Sequence, residues 1–144
     1  MRADDIRPGH IVYVKAVTVG KPKYFLCVQE ATPEFAGSFL YVNSEKKEAH
    51  RNDCRVRSTR LGILDRGRDA TSIVSFGNLV PMKHKWLSDP FNKGRLVTFL
   101  EATLAQELLR FCTEQRTGLD PDERATVRRV LKHCADRLAA DAAE

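Results

Sequence analysis

The apolar residues of this 144-residue chain change their period part-way along, and that change constrains the fold more than any other feature. Up to about Met82 they come in short runs rich in β-branched and aromatic residues, separated by Gly, Pro and Asp. From Leu96 onward they recur every three or four positions. The first pattern belongs to strands and the second to amphipathic helices. A run from His10 to Val17 follows Pro8-Gly9, and Gly20-Lys21-Pro22 turns the chain into Lys23–Val28. Further strand-like runs are Ser38–Ser44, the alternating Cys54-Arg55-Val56-Arg57, Thr71–Phe76 and Leu79–Met82. Arg60–Asp65 is apolar but ends in the turn chemistry of Asp65-Arg66-Gly67. Five or six short strands at this spacing predict an antiparallel meander closed into a small, twisted or partly open β-barrel.

The second part predicts a helical hairpin. Leu96, Val97, Leu100, Leu104, Leu108 and Phe111 place one helix over about 95–116, before Gly118. Asp120-Pro121-Asp122-Glu123 starts another over about 121–141, with Asp120 as cap and Glu123 completing a capping box. The short link between them favours antiparallel helices. The chain therefore reads as α+β, a barrel over residues 1–87 and a hairpin appendage over 88–144. Both helices are too long for the reading helix of a helix-turn-helix.

Apolar residues make up 42% of the chain and charged residues 30%, which suits a folded soluble domain and excludes full disorder. The longest unbroken apolar run is five residues, Tyr24 to Val28, far short of a bilayer span. Acids at Asp4 and Asp5 stand where a signal peptide would need an apolar stretch. Cys27, Cys54, Cys112 and Cys134 form no C-x-x-C pair, which predicts reduced thiols and a cytoplasmic setting. Phosphate-loop, dinucleotide, zinc-protease and nucleophile-elbow motifs are missing, and neither His50/Cys54 nor His133/Cys134 extends to a set of four ligands. The expectation is a chain with no metal and no cofactor.

Charge is the most informative remainder. The formal net charge is +5, and residues 1–87 hold 15 Lys+Arg against 9 Asp+Glu. Residues 121–144 carry 5 of each. Within 46–68 there are 8 bases to 3 acids. A basic surplus confined to the β part is what a phosphate-binding surface shows. Lys21, Lys23, Tyr24, Arg51, Arg55 and Arg57 would grip single-stranded nucleic acid if they share one face, bases stacking on Tyr24. The same residues are equally consistent with Tyr24 and Phe25 in the core and a solvated basic surface.

The succession Pro8-Gly9-His10-Ile11-Val12-Tyr13-Val14, Lys21-Pro22-Lys23-Tyr24-Phe25-Leu26-Cys27-Val28 and Phe39-Leu40-Tyr41-Val42-Asn43-Ser44 resembles the PemK/MazF-type toxin family over roughly residues 7–82. The resemblance implies an SH3-like barrel that dimerises, cleaves single-stranded RNA without a metal, and is held by an antitoxin protein. His10 stands where the family prefers Asp, and Lys21 and Lys23 flank Pro22 where it places a catalytic Arg. Ser44 matches its Thr or Ser after the third strand. Carried over, Lys23 would stabilise charge on phosphorus, Ser44 would bond a phosphate oxygen, and His10 (or His50) would move the proton of a 2′-hydroxyl. The other reading is a non-catalytic module for nucleic acid or a protein partner, its hairpin serving as a dimer or partner surface.

Overall fold

The computed structural model describes residues 2–15, 22–44, 52–89, 94–115 and 117–143, with side chains to Arg137 except at Lys15 and Pro22. Among the described residues, seven strands form one open antiparallel sheet. They are β1 (His10–Lys15), β2 (Pro22–Gln29), β3 (Gly37–Ser44), β4 (Asp53–Arg57), β5 (Thr71–Ser75), β6 (Val80–Met82) and β7 (Arg95–Phe99). The order across the sheet is β4-β5-β3-β2-β1-β7, with β6 paired to β3. β3 works on both of its edges. Tyr24↔Val42 to Cys27↔Phe39 join it to β2, while Gly37–Phe39 pair with β6 and Val42–Ser44 pair with β5.

Three α-helices complete the described residues, α1 (His84–Ser88), α2 (Ala102–Glu114) and α3 (Pro121–Ala143). The capping box expected at Asp120 is present. The Glu123 N–H donates to Asp120 Oδ1 at 2.8 Å, and the Asp120 N–H donates to Glu123 Oε1 at 3.1 Å. Arg124, in the first turn of α3, donates to the carbonyls of Cys112 and Thr113 at the end of α2. Farther along α3, the Arg137 guanidinium lies 3.9 Å from the ring centre of Phe99, just ahead of α2. The two helices therefore run antiparallel, and Arg124 serves the last-turn carbonyls that α2 cannot satisfy itself.

One expectation fails at residues 95–99, which the apolar spacing assigns to the first helix. They form β7, pairing His10↔Phe99, Ile11↔Thr98, Val12↔Leu96 and Tyr13↔Arg95 along the outer edge of β1. The Leu100 N–H also donates to the Gly9 carbonyl at 2.8 Å. Val97, Thr98 and Phe99 are good strand residues, and an open strand edge offers their backbone more than an isolated helical turn would. Leu96, counted in the helical stripe, is 39% exposed, whereas Leu100 is buried.

The sheet has an apolar layer on each face, as strand alternation requires. On one face Ile11, Tyr24, Leu26, Leu40, Val42, Val56, Val74 and Phe76 share a continuous core with Leu104, Leu108, Val127, Leu131 and Cys134 of α2 and α3. On the other, Val12, Val14, Phe25, Cys27 and Phe39 pack with Ile6, Met82 and Leu87. No helix among the described residues is long and apolar enough to cross a membrane.

All four cysteines are free, and Cys27, Cys112 and Cys134 are buried. Burial pushes the Cys27 thiol up to about 12 and the Cys54 thiol up to about 11, and raises Cys112 and Cys134 as well. A thiol that stays protonated in the fold but ionises in the unfolded chain gives stability that is lost as pH rises. Urea midpoints should therefore hold up to about pH 9 and fall between about 9 and about 12, with Cys27→Ala flattening the fall. An equal fall in the variant would assign the alkaline sensitivity to other groups.

Candidate nucleic-acid interface

Register decides which side chains meet. β1 leaves at Lys15, β2 enters at Pro22, β3 leaves at Ser44, β5 enters at Thr71 and β4 leaves at Arg57. Antiparallel pairing sets all five termini at the same end of the sheet. Lys23 pairs with Val14, Ser44 with Ser72, and Arg57 with Thr71 at that end.

Two faces contribute to it. Lys23 alternates with buried Tyr24 and so projects on the face of Phe25 and Tyr41, its Nζ 5.2 Å from the Tyr41 ring centre. Arg55 and Arg57 alternate with Cys54 and Val56, which places them on that same face, both exposed. Adjacent strands lie ~4.8 Å apart, so Lys23 and Arg55, three strands away, sit roughly 14 Å apart across the sheet. The exposed hydroxyl of Ser44 belongs to the opposite face, with Val42 and Ser72.

On this helix-side face the sheet end carries a layered cluster. Tyr13 and Tyr24 meet edge to face at 5.1 Å between ring centres. Arg95 lies 4.9 Å from the Tyr13 ring centre, and Arg66 lies 5.1 Å from that of Tyr24. The Tyr24 hydroxyl donates to Asp65 Oδ1 at 3.0 Å. Arg66 Nη1 donates to Ser72 Oγ at 2.8 Å, and Ser72 shares a 2.6 Å hydrogen bond with Ser58, both serines fully buried. Burial and the bond to Asp65 raise the Tyr24 pKa, so its phenol stays protonated at neutral pH.

The residues singled out in the sequence are thus only partly assembled. Lys23 and Ser44 reach the same end from opposite faces. His10 begins β1 at the other end, about 14 Å along the strand from the row of Lys23. Its ring packs edge-on to Phe99, and its Nδ1 accepts the Arg7 N–H at 2.8 Å. Burial, Arg7 and Arg137 lower its pKa, leaving a neutral ring with its proton on Nε2. With Nδ1 taken by the Arg7 N–H, His10 is not brought together with Lys23 and Ser44. Tyr24 is buried. At 3% exposure it has no open ring face on which a base could stack. Tyr41 and Tyr13, each partly exposed, are the rings with surface at this end. Lys21 and Arg51, and the alternative His50, lie outside the described residues. Arg66 was hidden by its place in a turn, where Asp65-Arg66-Gly67 reads as loop chemistry.

Among the described residues no group of three His, Cys, Asp or Glu side chains is placed to hold a metal ion. A surface depression lined by Asp4, Asp5, Arg7, Gly94, Arg95 and Leu96 lies beside β7, where its two carboxylates oppose an anionic ligand. No known protein family matches the chain, and no curated protein or solved structure matches it either.

Proposed function

We propose that this chain is a binding module for single-stranded RNA that does not cleave its ligand. The observation that carries the reading is the gathering of Lys23, Arg55 and Arg57 on one sheet face beside the Tyr41 ring, at the same end of the sheet that carries Ser44 and Arg66 on its other face. Cations with aromatic rings between them suit a strand of phosphates and unpaired bases. The pairing of β3 with β6 at its start and β5 at its end supports reading the sheet as a small SH3-like barrel of the PemK/MazF type. The engaged, distant His10 and the Lys at position 23 argue for binding without the chemistry of that family, because Lys lacks the fork of a guanidinium. Four free thiols suit a reducing cytoplasm.

Fluorescence anisotropy with a short unstructured RNA across a salt series tests the reading. Each phosphate contact to a single strand contributes about 0.7 to the slope of log affinity against log salt. Replacing Lys23, Arg55 and Arg57 together by Gln should therefore reduce that slope by about 2 and weaken binding. Affinity indifferent to salt and to the triple replacement sinks the proposal. Cleavage in EDTA leaving a 2′,3′-cyclic phosphate would replace it with a metal-independent endoribonuclease.

A further inference from the structure

The segment from the 3-10 turn Ser58–Leu61 to β5 holds Arg60, Arg66 and Arg68, and the first two sit in very different electrostatic settings. Arg60 is neutralised twice, by Glu101 at 3.0 Å and by Glu107. Arg66 has no carboxylate at ion-pair distance among the described residues, although it is the more deeply placed of the two in terms of its surroundings. Its neighbour Asp65 is taken up by the Tyr24 hydroxyl. The Arg66 guanidinium is instead fixed by neutral groups, the Ser72 hydroxyl at 2.8 Å, the Val42 carbonyl at 3.4 Å and the face of Tyr24. Burial lowers its pKa, and Asp65 offsets part of that effect without forming an ion pair. A half-buried cation held rigid by uncharged partners is a preorganised anion site, since its charge and remaining N–H donors are left for a ligand.

The surroundings narrow the ligand. Ser44 is the cross-strand partner of Ser72, which sets its hydroxyl on the face of Arg66, about 5 Å away in Cα terms from Ser72. Ser44 is exposed at the end of β3, so a ligand can reach it. One cation with a fork of donors beside a hydroxyl matches a tetrahedral oxyanion better than a planar base.

We propose that Arg66, with Ser44, seats one internal phosphodiester of the bound strand. This rests on the single-stranded RNA reading above, and it makes Arg66 the anchor while Lys23, Arg55 and Arg57 act as a diffuse electrostatic track.

The test uses the full chain and a short RNA in which one linkage at a time is a neutral methylphosphonate. In the parent, one linkage should stand out, its neutralisation weakening binding about tenfold. Arg66→Gln should lose about the same factor and erase the preference for that linkage. Arg66→Lys should recover part of the affinity, because charge returns without the fork. Since Arg66→Gln also loosens the loop, Ser44→Ala provides a variant at an exposed site, and it should weaken binding about threefold and blunt the same linkage. If Arg66→Gln and Ser44→Ala keep the parent's linkage pattern while the Lys23/Arg55/Arg57 replacement weakens binding, the seat is wrong and the RNA reading stands. Dependence on a 5′-terminal phosphate, with no internal linkage preferred, also overturns the internal seat. A parent chain that binds no RNA overturns both.

Discussion

A chain ending at Asp89 will not fold. The shortened chain keeps β1 to β6 and α1 but loses β7, α2 and α3. With them go Leu100, Leu104, Leu108, Val127 and Leu131, all essentially buried against the sheet. Each such side chain contributes about 1.5–3 kcal/mol by its burial. Five of them together are comparable to the whole stability of an ordinary domain, about 5–15 kcal/mol. The loss is compounded on the sheet itself, because Ile11, Leu26, Leu40 and Phe76 would face water. Thermal scans by circular dichroism should show no cooperative transition for the truncated chain, and its amide NMR spectrum should be poorly dispersed. A cooperative melt would instead make the helices an accessory to a sheet that stands alone.

Gly9→Ala is expected to be strongly destabilising. Gly9 adopts φ +102°, which side chains with a Cβ rarely tolerate. A Cβ there would lie 2.7 Å from Phe99 Cζ and 2.8 Å from Cys134 Sγ, closer than any such contact can be. The backbone cost is about 1–2 kcal/mol and the overpacking about 1–3 kcal/mol. The Gly9 N–H and carbonyl also hold β2 and the link from β7 to α2, through bonds to Cys27 and Leu100 at 2.8 Å each. Equilibrium unfolding in urea should show a loss of about 2–5 kcal/mol. Adding Cys134→Ala should return part of the steric cost and none of the backbone cost. A Gly9→Ala chain as stable as the parent would show that the β1–β7–α3 junction yields easily.

What could be read from the residues alone was local. β2, β3 and β5 announce themselves because Tyr24–Val28, Phe39–Val42 and Ile73–Val74 are unbroken apolar runs rich in β-branched and aromatic residues. The start of α3 is legible because Asp120 and Glu123 satisfy each other's backbone within four residues. What escaped was everything that depends on register. Lys23 and Ser44 look like partners in sequence, yet one alternates with Tyr24 and the other follows Val42 by two, which sends them to opposite faces. β7 escaped because its spacing satisfies both periods and only the open edge of β1 chooses between them. Arg66 escaped because charge counting treats every arginine alike, and nothing local distinguishes it from Arg60, whose carboxylates come from α2 and the residue before it.

The pairing of β1 with β7 also sets a timetable. His10 and Phe99 are neighbours across the sheet but are made far apart in time on the ribosome. Until the chain beyond Phe99 emerges, the outer edge of β1 stays open and the helix-side core lacks its cover. Closing so long a loop costs little more than closing one half its length, since the entropy grows only with the logarithm of the span. The delay is therefore kinetic, and the chain spends it with a bare strand edge available to other chains. The edge that β7 covers in the finished fold is thus the one left open longest as the chain is made.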